Sequence, residues 1–120
     1  MQKKTLVIGA SPNPSRYSYL AIQRLRKNNH PVVALGKRPS VVDDVKIDDT
    51  KTPIEDVDTV TLYVNPANQK EYYDYILSLK PKRIIFNPGA ENEELEELAK
   101  KNNIQSMEAC TLVLLSTGQY

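Results

Sequence analysis

The chain has no tryptophan, one phenylalanine, one histidine, one cysteine and four glycines in 120 residues. A lone cysteine, Cys110, excludes an intrachain disulfide and points to a reducing compartment, so the expected location is cytoplasmic. The single histidine, His30, falls between a helix end and Pro31, at the edge opposite the strand carboxyl ends. It reads as a capping or surface residue. No catalytic set and no metal site is expected, because no convergent ligands or nucleophile–base pair accompany it. An excess of charge is missing too: 16 basic side chains face 15 acidic ones, for a net charge of +1. No global field draws this chain to nucleic acid or to an anionic membrane, and any anion site must be local. No apolar run approaches the roughly 20 residues of a membrane span. Lys3-Lys4 and the apolar stretch after them mimic a signal peptide only as far as Ser11-Pro12-Asn13-Pro14, which stops the run.

What is present suits one domain spanning residues 1–120. Hydrophobic residues make up 40% and charged residues 26%, ordinary for a globular protein. Leu6-Val7-Ile8 is a buried strand ending at Gly9. Tyr17 to Lys27 reads as a helix with Leu20, Ala21 and Leu25 on one face, Ser15 or Ser18 as its N-cap and Asn28-Asn29 as its stop. Pro31 to Leu35 is a second strand, closed by Gly36. Val45-Lys46-Ile47 alternates like a short edge strand within a polar stretch. Thr59 to Val64 is a β-branched strand, and a helix beginning near Pro66 places Tyr72, Ile76 and Leu79 on one face. Arg83 to Phe86 is a strand, Asn87 to Ala90 a loop and Glu91 to Lys101 a helix. Ile104 to Met107 is a short last strand, and Ala109 to Leu115 a closing helix. Alternating strands and helices predict an α/β fold: a three-layer, Rossmann-like, doubly wound and mainly parallel five-stranded sheet with helices on both faces. Its ligand would lie outside the carboxyl ends of the strands.

The stretch Gly9-Ala-Ser-Pro-Asn-Pro-Ser-Arg-Tyr-Ser18 joins the first strand to the first helix. That geometry turns backbone N–H groups and a helix N-terminus toward a phosphate. Its second and third glycine positions, counted from Gly9, hold Ser11 and Pro14, so the dinucleotide fingerprint is absent. Ser11 and Asn13 supply polar donors and Arg16 a guanidinium fork, while the prolines stiffen the turn. The second strand ends in Gly36-Lys37-Arg38, where an NAD site wants an acid. Two cations there favour a ligand with an extra ribose phosphate, such as NADP or coenzyme A.

With these motifs the chain resembles the small single-domain CoA-binding protein family, which is similar to the CoA-binding domain of succinyl-CoA synthetase α subunits. The resemblance covers nearly the whole chain. It rests first on the Gly9–Ser18 motif, then on Val57–Val60, on the Asn87-Pro88-Gly89-Ala90 loop and on Cys110 after the last strand. It implies coenzyme A or an acyl-CoA as ligand. Gly9, Ala10, Ser11 and Asn13 with Arg16 would hold the pyrophosphate, and Lys37 and Arg38 would meet the 3′-phosphate and ribose. Val64, Asn65 and Pro66 would flank the adenine or the pantetheine arm. Asn87, Pro88 and Gly89 would form the far wall. Gly36 departs from the Asn or Pro often found near the second strand end, and His30 stands where a Gly-Tyr pair is common.

Other groups read as structural. Cys110 lies in an apolar run. Glu91, Glu93, Glu94, Glu96 and Glu97 form a solvated face that suits a helix start. Tyr17 and Tyr63, close to strand ends, are the tyrosines placed to border a ligand. Three functions stay open on the residues: a CoA-binding module without its own chemistry, an NADP-dependent or acyl-CoA-processing enzyme, and a ligand-free interaction module. The enzyme reading needs a proton donor near the crevice, and the sequence offers none. A small-molecule ligand is the expected partner; the protein partner is unknown.

Overall fold

A computed structural model of the chain describes residues 2–120. In chain order it contains β1 (Thr5–Ala10), α1 (Tyr17–Lys27), β2 (Val32–Gly36), β3 (Ser40–Val42), β4 (Val45–Asp48), β5 (Thr59–Leu62) and α2 (Pro66–Gln69). A 3-10 turn (Lys70–Tyr72), α3 (Tyr73–Leu79), β6 (Arg83–Phe86), α4 (Glu93–Lys101), β7 (Gln105–Glu108) and α5 (Thr111–Ser116) follow.

The strands form one sheet of seven, in the order β3-β4-β2-β1-β5-β6-β7. All neighbours pair in parallel except β3 with β4. Without β3, the order is that of a doubly wound sheet. The chain moves outward from β1 through β2 to β4, then crosses back to β5 on the other side of β1. Parallel pairing needs crossovers, and these bring the helices onto both faces.

The expectation of five strands is corrected to seven. Val45–Ile47 belongs to β4, which is not an edge, because β3 folds back over it with Ser40 opposite Ile47 and Val42 opposite Val45. Asp43 makes the turn with φ at +52°. Three residues carrying one buried side chain leave no readable periodicity; pairing with β4 is what makes β3 a strand.

Alternation along β1 separates the core into two layers. Leu6 and Ile8 join Leu62, Ile76, Ile84, Phe86, Leu95 and Ala99 beneath α3 and α4. Val7 joins Ile22 and Leu25 of α1, with Leu115 of α5 packed against them. Burying these apolar side chains from water is the main force assembling the layers.

Several local expectations change. The N-cap of α1 is Arg16, with no side-chain cap, rather than Ser15 or Ser18; Ser18 is buried inside the helix. Asn28 and Asn29 do end it, Asn29 with φ at +65°. The helix expected to continue from Pro66 breaks at the 3-10 turn, where Gln69 is drawn fully into the interior. His30 is buried, not on the surface. Its Nδ1 accepts the Lys3 N–H at 2.9 Å, and its ring tilts against Tyr120 with centroids 4.9 Å apart. Tyr120, far away in sequence, folds back to cover it and also stacks under the Arg83 guanidinium at 4.4 Å. Among the described residues no helix is long and apolar enough to cross a membrane.

Candidate functional site

The carboxyl ends of β2, β1, β5 and β6 lie side by side, and the loops leaving them form the candidate site. At β1 the backbone turns at Gly9, with φ at +91°, a region L side chains rarely adopt. A Cβ on Gly9 would stand 2.6 Å from the Tyr63 carbonyl oxygen. Only glycine lets β1 end this close to the chain leaving β5, where the Tyr63 N–H donates to the Ile8 carbonyl at 2.8 Å. Ala10 follows and pairs with Gly36 across a register shift.

The loop after Ala10 organises itself. The Ser11 hydroxyl oxygen accepts the Asn13 N–H at 3.1 Å. Asn13 Oδ1 accepts the Ser15 N–H at 3.0 Å and the Ser15 hydroxyl at 2.8 Å. The Arg16 N–H closes a turn onto the Asn13 carbonyl at 3.0 Å. Ser11 and Asn13 thus hold the loop through their oxygens, and the Ser11 O–H and Asn13 amide protons have no acceptor among the described residues. Arg16 is exposed at the start of α1. Lys37 and Arg38 are exposed just past β2. None of these three joins the ion pairs found among the described residues, which are Arg26–Asp44, Lys46–Asp48 and Lys82–Asp58.

On the other side of β1, Val64 is half-buried. Asn65 caps α2, its Oδ1 accepting the Asn68 N–H at 2.9 Å, and Pro66 occupies the first helical turn. After β6, Asn87 is buried and its side chain faces inward. Its Nδ2 donates to Thr61 Oγ1 at 2.7 Å and to the Leu62 carbonyl at 2.9 Å. Its Oδ1 accepts the Thr111 N–H at 2.9 Å, tying β5, β6 and α5 together. Pro88 and Gly89 are exposed, Gly89 with φ at +93° and its N–H donating to Glu91 Oε1 at 2.9 Å.

The bordering tyrosines differ. Tyr17 is 71% exposed. Tyr63 buries its hydroxyl beside Thr111 and Thr61 without a completed hydrogen bond, and burial raises its pKa. Cys110 is half-buried at the start of α5. Surface depressions near Arg24 and Asp43, and near Lys80 and Asn103, lie away from this edge.

Sequence reasoning missed Gln69. It is fully buried, its Nε2 donating to the Val64 carbonyl at 2.9 Å and the Ala90 carbonyl at 2.7 Å. The available signal was an amide on the apolar stripe: residues 69, 72, 73 and 76 share one helical face by spacing, and three are tyrosine or isoleucine.

Strand order and the glycine turn define an α/β domain of the doubly wound, Rossmann-like class. The chain belongs to the CoA-binding domain family, whose model matches residues 3–116. A crystal structure of a protein described as uncharacterized is similar over 100% of this chain and 99% of its own, at 52% identity and a TM-score of 0.97. A hypothetical protein from Pyrococcus horikoshii OT3 is 22% identical, with a TM-score of 0.87, over 97% of this chain and 83% of its own. A structure from Thermus thermophilus is 20% identical, with a TM-score of 0.81, over 99% of this chain and 91% of its own. The last two likenesses concern the fold alone. No curated protein matches the chain.

Proposed function

We propose that this domain holds CoA or an acyl-CoA across the carboxyl ends of β2, β1, β5 and β6, as a binding module with no catalytic set of its own. The family supplies CoA binding in general. The observation that carries the finer reading is the meeting of two features on one edge. The glycine turn of β1 and the start of α1 stand beside three exposed cations that have no acidic partner among the described residues: Arg16, Lys37 and Arg38.

In this reading the pyrophosphate sits over Gly9, Ala10, Ser11 and Asn13, facing Arg16. N–H groups at a helix start and a guanidinium fork both favour anionic oxygen. Ser11 and Asn13 act twice: their oxygens preform the loop, and their remaining protons are available to the ligand. Lys37 and Arg38 read the 3′-phosphate. Val64, Asn65, Pro66, Pro88 and Gly89 line the path of the uncharged arm, and Asn87 supports that wall from inside.

Thermal denaturation with CoA, dephospho-CoA, NADP and NAD tests the reading, because a ligand that binds the native state raises the midpoint. CoA should raise it most and dephospho-CoA less. A rise with NAD and none with CoA would overturn the proposal.

A further inference from the structure

Gln69 joins the loops that leave β5 and β6. One amide reaches the carbonyl of Val64 in the first and the carbonyl of Ala90 in the second, at 2.9 and 2.7 Å. Both of its N–H donors are used. Its oxygen accepts from Asn92 Nδ2 at 2.9 Å. Asn92 in turn donates to the Tyr73 hydroxyl at 2.7 Å and caps α4 through Oδ1. Tyr73 completes the series by donating to Glu94 at 3.0 Å. The series runs from the buried Gln69 outward to the exposed Glu94, and at its buried end a shift of either loop strands a donor of Gln69 away from water.

The charges divide the edge into two halves. Arg16, Lys37 and Arg38 stand beside the ends of β1 and β2. Residues 64–67 and 87–90 carry no charged side chain. An elongated ligand with an anionic end and a neutral end would therefore lay its neutral end between the loops that Gln69 connects. We infer that Gln69 is a positioning residue: it sets the gap between the two loops and so governs affinity for the neutral arm of the ligand, leaving affinity for the phosphorylated end nearly unchanged. The inference rests on the CoA reading above and adds to it a division of labour within the site.

Calorimetric titration of the full chain with CoA and with adenosine 3′,5′-bisphosphate, which lacks the arm, tests it. In Gln69→Met the CoA dissociation constant should rise about tenfold or more while that of the bisphosphate changes by less than about twofold. Equal losses for both ligands, or unchanged affinity for both, would overturn the inference even if the midpoint of unfolding falls. Should Gln69→Met fail to fold, Asn92→Asp decides: it keeps the cap of α4 but sets a carboxylate against the Gln69 oxygen, and CoA should again weaken more than the bisphosphate. If the wild-type chain binds neither ligand, the CoA reading fails and the inference falls with it. If the wild type binds CoA and the variants lose both ligands alike, the inference alone fails.

Discussion

Gly36 lies against the carbonyl of Ala10: a Cβ on residue 36 would stand 2.4 Å from that oxygen and 3.0 Å from Cγ2 of Ile47. The pair forms the last rung between β1 and β2, immediately below the loop that carries Ser11 to Arg16. Backbone cannot yield as a flexible side chain would. Gly36→Ala should destabilise the fold by about 1–3 kcal/mol through overpacking, seen as a lower urea midpoint with an unchanged slope. CoA affinity should fall as well, since the rung fixes the spacing between the β1 loop and Lys37. A variant as stable as wild type would refute this account of the contact.

Arg16 and Lys37 are exposed and form no ion pair among the described residues. Their truncation should leave folding intact. Arg16→Ala and Lys37→Ala are each expected to weaken CoA by about 1.5–3 kcal/mol, the scale of a lost charge-assisted bond. Lys37→Ala should also erase much of the preference for CoA over dephospho-CoA. Calorimetry on both variants checks this, and unchanged CoA affinity in both would remove these residues from the site.

Asn87 is expected to act on stability. Its side chain satisfies the Thr111 N–H, the Leu62 carbonyl and Thr61 from a buried position. Asn87→Ala removes all three of these bonds, although Thr61 keeps its contact with the Thr111 hydroxyl at 2.8 Å, and should cost about 3 kcal/mol. Equilibrium denaturation measures it. A loss below about 0.5 kcal/mol, the range of ordinary surface changes, would contradict the role.

His30 gives the fold a pH dependence of definite sign. Burial, with help from the Lys3 and Arg83 cations, lowers its pKa below the ordinary histidine value; Asp58 opposes this. The folded chain keeps the neutral ring, and the unfolded chain takes up protons first as pH falls. The stability this site contributes is complete above about pH 6.5 and declines as pH drops through that value toward the lower folded pKa. Wild type should lose midpoint between about pH 7.5 and pH 5 more steeply than His30→Gln, which keeps an acceptor for Lys3 and has nothing to protonate. Parallel curves would rule His30 out as the source.

The parts of the fold visible in the sequence are those encoded by local chemistry. The apolar runs of β1, β5 and β6, the glycine at residue 9 and the Asn28-Asn29 stop all carry their signal in neighbouring residues. The features missed depend on distant partners. β3 exists because β4 pairs with it, and His30 is buried because Tyr120 returns to cover it. The break after Gln69 accompanies bonds to two loops that lie apart in sequence. The same division holds at the candidate site. Loop order placed Gly9, Lys37, Val64 and Pro88 at strand ends, but composition could not tell that the Asn87 amide turns inward or that Ser11 and Asn13 bind their own loop.

The central strand has a further meaning for dynamics. β1 has strands on both sides and helices over both faces, and Leu6, Val7 and Ile8 are wholly shielded from water. Its amide hydrogens are therefore expected to exchange through global opening, which hydrogen-exchange measurements on the native chain would check. The turn at Gly9 is anchored to this shielded strand, so in the CoA reading the ligand would meet a firm floor. What remains to be ordered is the short stretch between Ser11 and Arg16, already braced by its own hydrogen bonds.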